Sequence, residues 1–163
     1  MAKELSFDVV SQVDMNEVRN AVQMAQKELA TRFDFKKSVS KITLEGDAIV
    51  LVSDDQGKLK SVVDVLEEKL VRRKVPIKAL DYGKVEDALG GTVRQHVGLK
   101  VGLSDEKARA INKLIRKEFK KVKVNIQGDS LRVVSAKKDE LQAVMALLRE
   151  QDFGQPLQFV NYR

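Results

Sequence analysis

The sequence has 163 residues, of which 43% are hydrophobic and 33% are charged, so it can bury the cores of one or two small domains. It contains no cysteine and one histidine, which excludes disulfides, thiolate catalysis and His-rich metal sites. The net charge of +6 arises in residues 83–163, with 16 Lys and Arg against 10 Asp and Glu, whereas residues 1–82 carry 14 of each.

The chain repeats one pattern of apolar spacing. Residues 41–53 align without a gap on residues 123–135, and each segment alternates on both sides of a Gly-Asp pair, which predicts a β-hairpin. Apolar residues at helical spacing precede and follow each hairpin. In chain order, the predicted elements are strand 6–11, a helix opened by a capping box of Asp14 and Glu17, strands 39–45 and 48–53, a helix through 59–70, strand 76–80, strand 93–101, a helix capped by Ser104, strands 121–127 and 130–135, a helix through 141–148 and strand 157–162.

The repeated order β-α-β-β-α-β predicts an α+β fold of two tandem ferredoxin-like domains. Each would be an antiparallel four-stranded sheet with two helices on one face. Glycines interrupt the patterns in the middle of the chain, so we expect a first domain at 1–82, a linker at 83–92 and a second, basic domain at 93–163. The first strand could instead pair with the sheet of the other domain, and this exchange stays open.

One face of each predicted sheet is free of helices, and strand alternation indicates which side chains lie there. In the second domain this face is predicted to carry Lys121, Lys123 and Arg132, together with Arg94 from the strand at 93–101. Such cations bind phosphates through charge-assisted hydrogen bonds. The two central strands offer no aromatic residue on which RNA bases could stack. A solvated or domain-packed face is the alternative.

The segment after the first helix combines two aromatic rings, Phe33 and Phe35, with two cations, Arg32 and Lys36. This mixture suits a purine nucleotide. Two aromatics two residues apart are also typical of packing, so a core or inter-domain role stays open.

Asp54 and Asp55 stand where a helix needs a cap, which favours capping over a metal site. No set of residues provides a nucleophile, a base and an orienting group, so neither an enzyme nor a cofactor site is predicted.

Four ordered segments together resemble the bacterial YajQ family over nearly the whole chain. They are SFDVVS at 6–11, RFDFK at 32–36, KKDELQAV at 137–144 and PLQFVNYR at 156–163. A fifth segment, DYGKVE at 81–86, resembles the Gram-positive branch. The resemblance implies two ferredoxin-like domains and nucleotide binding. It also implies that some members respond to cyclic di-GMP by contacting a transcription regulator, and RNA binding has been proposed for the family.

Two departures from the family pattern bear on the site. Lys37 replaces a glycine, and if that position is left-handed the lysine strains it by about 1 kcal/mol. Lysines also stand where the family has Ser-Arg before the fourth helix, so Lys138 replaces the arginine. Lysine attracts phosphate but lacks the bidentate fork of arginine, so general phosphate attraction is expected rather than specific recognition of cyclic di-GMP.

We therefore expect a non-enzymatic protein that binds a nucleotide, which is cyclic di-GMP, GTP or ATP, and acts through a partner such as a transcription regulator. RNA binding by the basic second domain and a protein-interaction adaptor are the alternatives. No run of about 18 apolar residues and no signal-peptide pattern is present, so we expect a cytoplasmic protein that does not engage membranes.

Overall fold

A computed structural model describes residues 3–163, which divide into two compact units. The split unit joins the N-terminal residues up to Gln12 to Val101–Arg163, and the continuous unit is Val13–Lys100. In chain order, the elements are β1 (Leu5–Val10), α1 (Met15–Thr31), β2 (Lys41–Glu45), β3 (Ala48–Ser53), α2 (Gln56–Arg72), β4 (Leu80–Tyr82), β5 (Glu86–Asp87), β6 (Val93–Leu99), α3 (Asp105–Glu118), β7 (Lys123–Gln127), β8 (Ser130–Ser135), α4 (Lys138–Glu150) and β9 (Gln158–Val160).

The split unit has a four-stranded antiparallel sheet in the order β7-β8-β1-β9. With α3 and α4 it follows the ferredoxin-like order β-α-β-β-α-β, so the predicted fold is confirmed. Alternate residues of β1, such as Phe7 and Val9, are fully buried. They share one core with Ile111 of α3 and Val144 of α4, which places both helices on the same face of the sheet.

The continuous unit reaches the same strand order by a different connection. Its sheet runs β2-β3-β6-β4, with β5 paired to β6. The last strand of the unit, β6, therefore occupies the place that β1 takes in the split unit. Val93 and Val97 of β6 enter one core with Val18 of α1 and Leu66 of α2. The continuous unit is a ferredoxin-like fold whose first strand comes last in the chain.

The strand exchange that the sequence left open is present, and the units differ from the predicted boundaries of 1–82, 83–92 and 93–163. The backbone ladders explain the difference, because β6 pairs with β3, with Val97 opposite Ile49. The first strand pairs with β8, with Phe7 opposite Val133. Residues 86–87 of the predicted linker form β5 at the side of β6.

Both predicted hairpins are confirmed, and each turns through a glycine. Gly46 and Gly128 have φ values of 63° and 60°, which a residue with a side chain rarely adopts. Each hairpin closes on a two-residue loop, with Glu45 opposite Ala48 in the first. Positive φ at the start of such loops matches the right-handed twist of the strands.

The ends of the elements show two differences from the predictions. Asp14 caps α1 by accepting from the backbone N of Asn16 at 2.9 Å, but Glu17 does not complete a capping box. Its carboxylate instead accepts from Arg73 Nε at 2.7 Å, because an ion pair is stronger than a bond to a backbone amide. The predicted strand at 76–80 is mostly a 3-10 turn, since a proline at its start donates no ladder hydrogen bond.

The cap predicted at Ser104 is confirmed, since its side chain accepts from the backbone N of Lys107 at 3.2 Å. Asp55 caps α2 in the same way, and Asp54 accepts from Ser38 and from the backbone N of Val39.

Within residues 3–163, no helix combines the length and apolar character needed to cross a membrane.

Candidate functional site

A cavity of about 600 Å³ lies in the split unit, where α4, the start of β1 and the C-terminal residues meet. This volume is in the range of small-molecule sites in proteins. Three of the four segments that carry the family resemblance contribute residues to it. Its lining residues are Leu5, Ser6, Lys138, Leu141, Gln142, Met145, Arg149, Tyr162 and Arg163.

Helix α4 forms one long wall of the cavity. Its lining residues recur at spacings of three and four positions, which places them on one face of the helix. Leu141 and Met145 are buried and give this wall an apolar centre. Lys138 and Arg149 lie at its two ends, about 16 Å apart along the axis at the helical rise of 1.5 Å per residue. Gln142 adds an exposed amide between them.

The C-terminal residues form the opposite wall, and the backbone fixes their position. Asn161 has a φ of 57°, which turns the chain after β9. The backbone N of Arg163 then donates to the carbonyl O of Ser6 at 3.0 Å, and the N of Ser6 donates to the O of Arg163 at 3.1 Å. This reciprocal pair extends the sheet by one rung and holds Tyr162 beside the start of β1.

Tyr162 presents a fixed aromatic face to the cavity. Its ring stacks on Phe7, with centroids 6.3 Å apart and planes at 30°, and its hydroxyl donates to Met145 Sδ at 3.6 Å. The residue is nevertheless 61% exposed. An aromatic ring that is held in place but remains accessible can stack on a planar ligand with little loss of conformational entropy.

Asp8 anchors the C-terminal wall from within the sheet. It is only 6% exposed and accepts hydrogen bonds from Arg132 Nε at 2.9 Å and from Asn161 Nδ2 at 2.8 Å. The hydrogen bond from Arg132 lowers the pKa of Asp8 from its ordinary value of 3.8 and outweighs the opposing effect of burial. The carboxylate therefore stays ionised at neutral pH and keeps Asn161 in its turn.

The lining of the cavity is positively charged. Lys138, Arg149 and Arg163 contribute three cations, and none of the described residues that line the cavity has a carboxylate side chain. Within the described part of the chain, none of the three forms a salt bridge, although the Arg149 guanidinium lies 5.2 Å from the centre of the Phe159 ring. Cations that form no salt bridge, around an apolar and aromatic wall, suit an anion that also carries a flat ring.

Lys138 is the one residue of the predicted binding set that lines this cavity. Arg132 lies on the helix-free face of the same sheet, as predicted, but its guanidinium is engaged by Asp8. Lys123 is exposed on β7, with its Nζ 3.5 Å from a carboxylate oxygen of Glu4, and Lys121 is exposed just before that strand. Binding of phosphate by Lys121 and Lys123 stays a prediction.

Arg94 was predicted to share the basic sheet face of the second domain, and this placement is wrong. It lies on β6 in the continuous unit, opposite Val52 of β3 and Glu86 of β5. The prediction failed because alternation identifies the exposed face of a strand but not the strand beside which it lies. Arg94 and His96 therefore belong to a separate surface.

The aromatic segment after α1 divides into a core residue and an exposed one. Phe35 is 5% exposed and packs in the core of the continuous unit, which confirms the packing alternative and corrects the expectation that it faces a ligand. Phe33 is 86% exposed. Arg32 pairs with Glu28 at 3.1 Å and with Asp34 at 2.8 Å, so its charge is already balanced. Lys36 is exposed at the end of a 3-10 turn formed by Phe33–Phe35.

Lys37 has a φ of 67°, so it occupies the left-handed conformation that the replacement of a glycine suggested.

No group of three or more His, Asp or Glu side chains among residues 3–163 is placed to hold a metal ion.

Most of the cavity is formed by residues that the sequence patterns do not indicate. Gln142, Arg149, Tyr162 and Arg163 are not among the predicted binding residues, and Arg163 is included only in the segment at 156–163 that resembles the family. A signal was present on α4, where polar residues at 138, 142 and 149 share a face with two apolar ones. The meeting of this face with the C-terminal residues depends on tertiary structure and leaves no local pattern.

Comparison with known proteins gives the family of the chain. The family described as "Nucleotide-binding protein YajQ-like" matches residues 5–163. A nucleotide-binding protein of Desulfitobacterium hafniense is 57% identical over the full length of both chains. One of Heliobacterium modesticaldum is 55% identical over all of this chain and 99% of its own, and one of Bacillus cereus is 51% identical over both full lengths. The chain therefore belongs to the YajQ-like family of nucleotide-binding proteins.

Proposed function

We propose that this protein binds a nucleotide without catalysing a reaction, and that the nucleotide occupies the cavity of the split unit. The observation that carries the proposal is the accessible ring of Tyr162 beside three cations that form no salt bridge within residues 3–163. The names of the relatives, which describe nucleotide-binding proteins, support the ligand class.

Each part of the lining has a role in this proposal. The base stacks on Tyr162, which is worth about 1–3 kcal/mol for a base on an aromatic side chain. The amide of Gln142 is exposed on the wall between the cations and offers both a donor and an acceptor to the edge of the base. Arg163 and the nearer of Lys138 and Arg149 contact the phosphates, and the apolar centre of α4 lies beneath the sugar.

Guanine nucleotides, including cyclic di-GMP and GTP, are the proposed ligands, with ATP as the competing purine. Because Lys138 and Arg149 are about 16 Å apart along the α4 wall, only an elongated ligand approaches both cations. Once bound, such a ligand would change the exposed surface formed by α4 and Tyr162. That change provides a means of signalling to a partner protein, such as a transcription regulator.

Titration calorimetry with cyclic di-GMP, GTP and ATP tests the proposal. Replacing Arg149 by glutamine removes one charge-assisted contact and is expected to weaken the best ligand about tenfold. Arg116→Gln is the matched control, because Arg116 is an exposed helix arginine of the same unit that lies outside the cavity. Equal affinity in both variants would contradict the assignment of the site, and the absence of binding by all three nucleotides would contradict the function.

A second candidate function is RNA binding by a basic surface on α3 and the turn after it. Six exposed cations there form no salt bridge within the described part of the chain, and they offer positive charge to a phosphate backbone. Binding through this surface would weaken steeply with salt and would fall in Arg116→Gln but not in Arg149→Gln. The six cations are Arg109, Lys113, Arg116, Lys117, Lys120 and Lys121.

A further inference from the structure

A second cavity, of about 280 Å³, lies on the helix-free face of the sheet in the continuous unit. It belongs to a different unit from the proposed nucleotide site, and its lining comes from three neighbouring strands. The lining residues are Lys41, Thr43 and Glu45 of β2, Val50 and Val52 of β3, and Arg94 and His96 of β6.

The strand register arranges these side chains in rows across the sheet. In the first row, Val52 stands between Lys41 and Arg94. Adjacent strands are about 4.8 Å apart, so the backbones of Lys41 and Arg94 are about 10 Å apart, and their long side chains can meet above Val52. This row therefore has one cation on each side of an apolar centre.

The second row repeats this arrangement with neutral hydrogen-bonding groups. Val50 stands between Thr43 and His96, and its side chain is buried. Glu45 lies beyond this row at the far end of the cavity. The site therefore has a cationic end, an apolar floor with hydrogen-bonding sides, and an acidic end.

Among residues 3–163, no side chain forms a hydrogen bond or salt bridge with the cationic end of this cavity. The continuous unit contains five arginines, and four of them bond to a neighbouring side chain, whereas Arg94 forms no side-chain hydrogen bond or salt bridge with a residue of the described chain. The side chains of Lys41 and His96 are likewise without such a partner among residues 3–163. Glu86 stands opposite Arg94 in register but does not pair with it. The four bonded arginines are Arg19, Arg32, Arg72 and Arg73.

We propose that this cavity binds a small organic anion, with its acidic group between Lys41 and Arg94 and its apolar body over Val50 and Val52. Arg94 offers a planar fork that matches a carboxylate or a phosphate. His96 and Thr43 provide hydrogen bonds to the rim of the ligand. Glu45 repels an acidic group from the far end, so the ligand binds in one orientation. This inference does not depend on nucleotide binding in the split unit.

The experiment uses the single histidine of the chain as its reporter. The ring proton resonances of His96 are followed by NMR while benzoate is added to the full-length protein, with benzamide as the uncharged probe of nearly the same shape. Inorganic phosphate serves as the anion that lacks an apolar body. We expect saturable shifts with benzoate, and at least fivefold weaker responses to benzamide and to phosphate.

Two variants locate the effect. Arg94→Gln is expected to weaken benzoate about fivefold through loss of one charge-assisted contact, and Lys41→Gln is expected to act in the same direction. Arg72→Gln is the matched control, because Arg72 is an exposed arginine on α2 of the same unit that lies outside the cavity. Equal responses to benzoate and benzamide, a benzoate affinity that Arg94→Gln leaves unchanged, or no response would overturn the proposal. Phosphate binding as tightly as benzoate would overturn the role of the apolar floor.

Discussion

Asp8 and Arg132 face each other directly on adjacent strands of the split unit, although 124 residues separate them in the chain. The Arg132 guanidinium donates to both carboxylate oxygens of Asp8, from Nε at 2.9 Å and from Nη2 at 3.4 Å. Asn161 completes the contact from the C-terminal turn. One buried carboxylate therefore joins the first strand, a strand of the second hairpin and the segment that carries Tyr162.

Replacing Asp8 by asparagine should make the split unit less sensitive to acid. The hydrogen bond from Arg132 lowers the pKa of Asp8 below 3.8 in the folded state, so the ionised group stabilises the fold above about pH 4. That stability is lost as the pH falls through the folded pKa. At pH 7 we expect Asp8→Asn to lower the free energy of unfolding by about 2 kcal/mol, and this difference should shrink below pH 4.

Urea unfolding between pH 3 and 7 measures this effect through the fluorescence of Tyr162, in a Tyr82→Phe background that leaves one tyrosine. A difference between wild type and Asp8→Asn that stays constant over the whole pH range would contradict the role given to the carboxylate.

Phe33 and Phe35 should respond to truncation in opposite ways. Phe35→Ala empties a position in the core of the continuous unit and is expected to lower the free energy of unfolding by about 3–5 kcal/mol. Phe33→Ala removes an exposed ring and should change it by no more than about 0.5 kcal/mol. Thermal and urea unfolding of the two variants measure the contrast, and similar losses in both would show that Phe33 is packed.

Lys37→Gly should stabilise the protein although it removes a whole side chain. Relief of the left-handed strain is worth about 1–2 kcal/mol, and the greater freedom of glycine in the unfolded chain offsets part of it, which leaves about 0.5–1 kcal/mol. Lys36→Gly is the neighbouring control, because Lys36 has a φ of −64° and should lose stability on the same substitution. A loss of stability in both variants would contradict the strain at Lys37.

Tyr162→Ala should weaken nucleotide binding about tenfold, whereas Tyr162→Phe should stay within about twofold of wild type. The phenyl ring preserves stacking on the base, while alanine removes it. Calorimetric titration with the best ligand of the wild-type protein measures both affinities, with circular dichroism as a check on folding. A tenfold loss in the phenylalanine variant would assign the contact to the hydroxyl group instead of the ring.

Local patterns explain how much of the fold the sequence predicts. The Gly-Asp hairpins, the caps at Asp14 and Ser104 and the four helices are encoded within short windows and are confirmed. The placement of β1 and β6 is not local, because both strands alternate in the same way and fit the same position in either sheet. Their placement is visible only in the long-range contacts, where β1 pairs with β8 and β6 pairs with β3.

The candidate site likewise combines residues that local sequence patterns indicate with residues that only the tertiary structure brings together. Lys138 is a predicted binding residue because its segment resembles the family. Arg132 is predicted because strand alternation places it on the helix-free face of the sheet. Tyr162 and Arg149 join the site only because the turn at Asn161 brings the C-terminal wall to one face of α4. Arg132 also shows that a correctly placed cation need not be available to a ligand, since its charge is engaged by Asp8.

The most direct test of nucleotide binding in the split unit is a map of backbone amide shifts in two-dimensional NMR while GTP or cyclic di-GMP is added. We expect saturable changes that cluster at residues 5–6, 138–149 and 162–163, around the cavity. Changes confined to the segment at 32–36 or to the basic surface at 109–121 would contradict it, as would a spectrum that neither ligand alters.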